Sequence, residues 1–170
     1  MKFIALIAAA LTATEAKRLS PWTPAQYTNF RIRMVNSPNR CFYPDSRLEI
    51  RIHDCTYNDD ELFYVNQDTG AIHWAKDNTK IMGASGNKAT YWELVKLRDY
   101  DESRVDSQMW YNQHNQSFSA KGNLSMCLDN YYGNNSNGGQ IGFWACHGGP
   151  GQRYTMEPVT HKWDNNQAEA

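Results

Sequence analysis

Apolar and polar residues alternate with a period of two along much of the chain. Phe30, Ile32 and Met34 are separated by Arg31 and Arg33, and Leu48, Ile50 and Ile52 by Glu49 and Arg51. Ile141 and Phe143 alternate with small or polar neighbours in the same way. Alternation of this kind puts one face of an extended segment into a core and the other into solvent, and so predicts half-buried β-strands. Between such segments lie Gly- and Asn-rich runs, of which Gly133-Asn134-Asn135-Ser136-Asn137-Gly138-Gly139 is the longest, and these mark turns. Past the N-terminal apolar run no 3.6-residue apolar stripe occurs, and the chain reads as all-β.

The strands fall into three copies of one unit. Glu61-Leu62-Phe63, Gln108-Met109-Trp110 and Gln152-Arg153-Tyr154 share a form, an acid or amide followed by a variable residue and an aromatic, and are spaced 47 and 44 residues apart. Cys55 precedes Glu61 by six residues, and Cys146 precedes Gln152 by six. Phe30-Arg31-Ile32-Arg33-Met34, Gly70-Ala71-Ile72-His73-Trp74 and Gln116-Ser117-Phe118-Ser119-Ala120 each read as the opening strand of a unit. The units run over approximately 27–69, 70–114 and 115–158. None is large enough to bury a hydrophobic face alone, so the three must share a core. Closing the sheet removes its exposed edges, which favours a pseudo-threefold barrel over a sandwich or a propeller.

Ahead of this domain, Met1-Lys2 and the apolar run Phe3 to Leu11 lead to Thr14-Glu15-Ala16, the layout of a secretory signal over 1–16. The run is far short of the ~20 apolar residues of a membrane span, so membrane insertion is not expected. Residues 17–26 form an N-terminal segment, which opens with the dibasic Lys17-Arg18, and 159–170 a flexible tail. The mature chain is expected to be extracellular. Its roughly 150 residues suit one domain.

Cysteine usage agrees with an oxidising compartment. Cys41, Cys55, Cys127 and Cys146 make an even set with three conceivable pairings, and their positions favour the local bridges 41–55 and 127–146. No pair has the two-to-four-residue ligand spacing of a zinc site, so neither a metal nor another cofactor is expected. Net charge is −1, and the basic residues are scattered singly. Without a basic stripe to follow a phosphate backbone, nucleic acid is not an expected partner.

Cys127-Leu128-Asp129, the stretch Gly138-Gly139-Gln140-Ile141-Gly142-Phe143-Trp144-Ala145-Cys146-His147-Gly148-Gly149, and Gln152-Arg153-Tyr154 together resemble the ricin B-type lectin repeat. That repeat runs Cys-x-Asp, a glycine turn, an apolar strand ending in aromatic-x-Cys, and a closing Gln-x-Trp. The match is close over Leu124 to Tyr154 and only in outline in the first two units. The resemblance implies a β-trefoil, three pseudo-symmetric four-stranded repeats about a common axis. It also implies a sugar site in which Asp129 accepts from two hydroxyls and Trp144 stacks on the ring. His147 adds a polar contact there, and Gln152 orients Asp129.

Two positions depart from the family pattern: Gly142 stands where a sugar-contacting Gln is common, and Gly151 where Asn usually precedes the Gln. Asn130 and Asn134 are the neighbours placed to compensate. The other units look blind. The first has Cys41-Phe42-Tyr43, and in the second Lys80-Ile81-Met82 falls where Cys-x-Asp would stand. One working site, in a monomer that binds glycans or glycoproteins, is therefore the expectation.

An enzyme is not. Glycoside hydrolysis needs two carboxylates across one cleft. The acidic groups Asp59-Asp60-Glu61 and Asp99, Asp101, Glu102 lie in polar stretches between strands, where solvated loop charge explains them. No nucleophile elbow, phosphate loop or Ser-His-Asp order occurs. The competing reading is a sugar-blind trefoil that binds a protein, such as a protease inhibitor or a host-directed interaction protein. Its exposed loop would be Arg98 to Ser107, which is strongly charged and lacks a bracing disulfide. Asn115, Asn123 and Asn134 head Asn-x-Ser sequons, as surface positions of a secreted chain do.

Overall fold

A computed structural model describes residues 29–159 apart from 67–68, 87, 108 and 113–114. The expected signal over 1–16, the segment 17–26 and residues 160–170 of the tail lie outside the described residues, as does Gln108.

Twelve strands follow one another in three sets of four. The first set is β1 (Asn29–Met34), β2 (Ser37–Pro44), β3 (Ile50–Asp54) and β4 (Phe63–Val65). The second is β5 (Ile72–Trp74), β6 (Asp77–Ala84), β7 (Val95–Asp99) and β8 (Met109–Asn112). The third is β9 (Ser117–Ala120), β10 (Asn123–Asn130), β11 (Gly139–Ala145) and β12 (Tyr154–Val159). The chain is a β-trefoil. Every set begins with the same device, a two-residue reversal: Met34 faces Ser37, Trp74 faces Asp77 and Ala120 faces Asn123. Just beyond it the register slips in all three copies. Each slip leaves three extra residues on the second strand, and extra residues bend and twist a strand, which lets a short hairpin leave the barrel wall.

β1 pairs with β4 and β12, β4 with β5, and β8 with β9, while β2–β3, β6–β7 and β10–β11 form hairpins. The three hairpins touch one another in turn: β3 pairs with β11, Glu49 bridges Lys96, and Leu94 bridges Gly142. This closed arrangement joins the repeats where the apolar faces meet. Phe30, Ile32, Met34, Phe42, Ile52, Phe63, Leu97, Phe118, Leu128, Ile141, Phe143 and Tyr154 fill the shared core. The rings of Phe42 and Phe118 lie 5.0 and 5.8 Å from that of Tyr154, so the third repeat's closing aromatic packs against the first repeat and its own.

Both local disulfides form, Cys41–Cys55 and Cys127–Cys146, with Cα atoms 5.0 and 4.9 Å apart. Two details differ from the reading of the pattern. Leu48 does not extend the alternation of β3; it occupies the preceding turn at φ 62°, with Asp45 accepting the N–H groups of Arg47 and Glu49. Arg98 and Asp99 belong to β7 and not to an exposed loop, and the Arg98 guanidinium donates to the carbonyls of Ala84 and Gly86.

Candidate functional site

The third hairpin carries the candidate site. In β10 the alternation turns Leu128 and Asn130 toward the interior and leaves Cys127 and Asp129 on the outer face. Across the hairpin Cys127 pairs with Trp144 and Asp129 with Gly142, so these four share one face. The disulfide then pins the chain just past β11. There Gly148, at φ 66°, turns it back, and a single 3-10 turn at Pro150–Gln152 delivers Gln152 beneath the loop.

Gln152 is fully buried and every polar atom of its amide is used. Oε1 accepts the N–H of His147 at 2.8 Å and of Gly148 at 3.1 Å. Nε2 donates to the Ala145 carbonyl at 2.9 Å and to Asp129 Oδ2 at 2.8 Å. His147 reaches the same oxygen, Nε2 to Oδ2 at 3.0 Å, while its Nδ1 accepts the Gly149 N–H at 3.0 Å. That pair of contacts fixes the tautomer with the proton on Nε2. Asp129 is thus held through one oxygen by two donors, and Oδ1 makes no hydrogen bond among the described residues. The sequence-predicted residues Asp129, His147 and Gln152 are one connected group.

Trp144 is brought to the same face but is set two residue pairs along the ladder from Asp129. It is half-buried, and its ring meets Trp92 and Tyr91 edge to face, with centroids 4.6 and 4.8 Å apart. These partners come from the loop between β6 and β7 in the second repeat. Trp92 also lies 5.2 Å from Tyr131 and 5.6 Å from Tyr132, which follow Asn130 directly. Tyr91, Trp92 and Tyr132 are 56, 51 and 88% exposed. Trp92 and Tyr132 adopt φ 67° and 58°, left-handed conformations that cost a non-glycine residue roughly 1–2 kcal/mol. Sequence reasoning missed this aromatic group. The signal was there in Tyr91-Trp92 and Tyr131-Tyr132, two adjacent aromatic pairs within turn-rich stretches.

The Gly142 departure has a steric cause. A Cβ at Gly142 would collide with the Tyr131 hydroxyl and stand 2.7 Å from the Glu93 carbonyl. Tyr131 thus fills the place of the missing Gln side chain; it donates to Glu93 O at 3.2 Å, and burial pushes its pKa up to about 12. A Cβ at Gly151 would meet Asp129 Oδ1 at 3.2 Å. Asn130 does not compensate for the lost donors. It is 1% exposed and donates to Asn135 Oδ1 at 2.6 Å, because it is one residue out of phase with Asp129. Asn134 is exposed and accepts the Ser136 N–H.

The other repeats keep the scaffold without the carboxylate. Register aligns Cys41, Ile81 and Cys127, which face Arg33, His73 and Ser119. The counterpart of Cys127-Leu128-Asp129 in the second repeat is therefore Ile81-Met82-Gly83, one residue later than the motif spacing indicates. Tyr43 and Gly83 replace Asp129, and His53 and Arg98 replace Trp144. In the first repeat Glu61 takes the role of Gln152, accepting from the N–H groups of Thr56 and Tyr57 at 2.6 and 3.0 Å. Arg31 Nε, at 3.3 Å, balances its charge.

The acidic groups considered for hydrolysis have other partners. Asp60 binds Lys76, Asp99 binds Lys80, and Asp101 binds Ser103 and Arg104. Among the described residues no group of three or more His, Cys, Asp or Glu side chains is placed to hold a metal ion, and no helix there is long and apolar enough to cross a membrane.

Neither a protein-family model nor a curated protein sequence matches the chain. Solved structures do. The C-terminal half of an earthworm R-type lectin, crystallised with GalNAc, has a TM-score of 0.64 at 16% identity, over 77% of this chain and 98% of that one. A ricin B-like lectin of Macrolepiota procera, in complex with lactose, gives 0.59 at 16% identity, over 77 and 95%. The designed threefold-symmetric protein ThreeFoil gives 0.67 at 12% identity, over 77 and 99%. At these identities the likeness is one of fold, the β-trefoil shared by R-type and ricin B-like lectins.

Proposed function

We propose that the chain is a secreted carbohydrate-binding protein of the ricin B-type lectin kind, a binding module and not an enzyme. Its single site lies in the third repeat, within a trefoil domain over 27–158 that follows a cleaved signal at 1–16. The observation that carries the reading is the state of Asp129. Gln152 and His147 hold Oδ2, so the partly exposed carboxylate is oriented before any ligand arrives, and Oδ1 is left to accept from sugar hydroxyls. Charge-assisted acceptance by a carboxylate is worth roughly twice a neutral hydrogen bond. Trp144, on the same face, supplies an apolar surface for the C–H face of a pyranose, and His147 borders the site on the solvent side. With Tyr43 and Gly83 in place of the carboxylate, the first two repeats support the fold only. A monomer with one site binds glycans or glycoproteins without cross-linking them. Both lectins described above were crystallised with a sugar, which favours the same ligand class here.

The test is a glycan array probed with the mature protein and with Asp129→Ala. Binding by the wild type that the variant loses is the expected result. Binding that survives the substitution would move the site elsewhere, and no glycan binding by folded wild-type protein would overturn the reading.

A further inference from the structure

We propose that Trp92 and Tyr132, carried by two different repeats, form a second sugar subsite beside Asp129, so that the ligand is a neutral oligosaccharide held over at least two rings. The inference rests on the glycan-binding reading above and specifies its ligand.

The sheet sets the spacing. Asp129 in β10 faces Gly142 in β11, Gly142 bridges Leu94, Trp92 N–H donates to Phe143 O at 3.2 Å, and Phe143 N–H donates to Glu93 O at 2.9 Å. Residues 92–94 therefore run along the far edge of β11, two interstrand spacings, or ~10 Å, from Asp129. That spacing leaves room for a second, linked ring beyond the one that hydrogen-bonds Asp129.

The fold alone accounts for neither aromatic. Tyr132 is the most exposed large apolar residue described, and Trp92 is half out in solvent, so burial gives little reason for either ring. Both sit at positive φ, where glycine would be unstrained. Tyr57, 59% exposed at φ 60°, shares both features, but Trp92 and Tyr132 are brought together, with ring centroids 5.6 Å apart at the third hairpin. The surface is also built in advance. Trp92 is braced by Trp144, which Tyr91 supports in turn, and stands over the buried Tyr131, while Tyr132 lies beside it at a tilt of 32°. Rings fixed before binding lose little freedom when a ligand stacks on them.

The chemistry selects the ligand class. In the segment Tyr91–Leu94 the charged residue is Glu93, and its carboxylate turns away to accept from Ser85 Oγ and the Gly86 N–H. What remains is a group of aromatic rings edged by phenol hydroxyls, in the same part of the fold as Asp129. C–H faces on one side of a ring and hydroxyls around its rim match that combination. A protein interface would have a core depleted of charge, and Asp129 is a poor neighbour for one.

The experiment uses an array on which each terminal sugar is printed as a mono-, di- and trisaccharide, followed by titration of the strongest series. Wild-type protein is expected to bind the longer members about tenfold more tightly than the monosaccharide. Tyr132→Ala and Trp92→Ala should each erase most of that gain, and Tyr132→Phe should keep it. Because Tyr132 is exposed, its replacement leaves folding intact, which circular dichroism would verify. Affinity independent of chain length, or a gain that survives both alanine substitutions, would overturn the subsite and leave the lectin reading standing. Loss of monosaccharide binding in Tyr132→Ala would also overturn it, by placing Tyr132 in the primary site. Folded wild-type protein that binds no glycan, with a protein ligand captured instead, would overturn both proposals together.

Discussion

The hydroxyl of Tyr131 stands where the first side-chain atom of any residue at 142 would have to be, and the two positions can only be understood as a pair. Tyr131 is buried to 6% exposure and Gly142 is the residue that lets it be so. Gly142→Gln is therefore expected to cost stability. Overpacking of this kind typically costs 1–3 kcal/mol, and the Glu93 carbonyl 2.7 Å away blocks the obvious escape. Tyr131→Ala made in the same chain should relieve the clash, so that the double variant is more stable than the sum of the single losses predicts. Urea denaturation of the four proteins measures that coupling. Additive losses would show that the two positions are independent.

Removing either disulfide should lower stability by a similar amount, because the bridges close loops of similar size, with sequence separations of 14 and 19. Chain entropy puts each near 3 kcal/mol. Their effects on ligand should differ. Cys146 directly precedes His147 and the turn capped by Gln152, whereas Cys55 serves a repeat with Tyr43 at the position of Asp129. Replacing Cys127 and Cys146 by Ala is expected to weaken glycan binding as well as stability. Replacing Cys41 and Cys55 should shift the melting temperature and leave the affinity of folded protein alone. Thermal melts together with array binding at a temperature well below both transitions would separate the two effects.

Much of this architecture was legible because it rests on local rules. Period two gave the core faces of β1, β3 and β11, and the spacing of the closing triplets gave three units. The local cysteine pairs followed from the strand-turn-strand segments they bracket. Period two also carried information left unused: a strand that turns Asp129 outward must turn Asn130 inward. The second repeat was misaligned by one residue because Ile81 has no cysteine to mark it, and only strand pairing to His73 fixes the register. Leu48 kept the alternation in sequence while its backbone left the strand, since apolar identity does not report φ. The partnership of Trp92 with Trp144 could not be read at all. It joins loops of different repeats, and no local periodicity encodes a contact of that range.

Acid should weaken the first hairpin through Asp45. Burial alone would raise the pKa of this carboxyl, but the Arg51 guanidinium at 3.0 Å and the N–H groups of Glu49 and Arg47 outweigh it, and the net shift is downward. A carboxyl with a depressed folded pKa contributes stability that is present above its unfolded value, near 3.9, and is lost as pH falls through the folded one. Asp45→Asn should therefore be less stable than wild type at pH 7, and the difference should shrink as pH drops below about 4. Denaturant midpoints taken across that range test it; a constant difference would assign the loss to something other than charge.

Glu61 and Gln152 occupy matching places and cap matching turns, yet they should not be interchangeable. Glu61 only accepts: its oxygens take the N–H groups of Thr56 and Tyr57, and Arg31 neutralises it. Gln152 must also donate, to Ala145 O and to Asp129 Oδ2, and a carboxylate has no proton for either. Gln152→Glu would set two carboxylates against each other in a buried place and leave the Ala145 carbonyl without its donor, a loss of about 2–4 kcal/mol at pH 7. At position 152 the protonated carboxyl is the stabilising form, whereas at position 45 the ionised one is. Protonating either carboxyl restores a donor and removes the repulsion, so the deficit relative to wild type should shrink as pH is lowered toward 5. The reciprocal Glu61→Gln strands the Arg31 guanidinium, at a cost of about 3 kcal/mol. Protonation at position 61 cannot mend that change, and its deficit should stay flat from pH 7 to 5. Parallel denaturation of the two variants at those pH values provides the measurement. A Gln152→Glu protein as stable as wild type at pH 7 would mean that the amide does not hold Asp129 in place, and the orientation of the carboxylate would need another explanation.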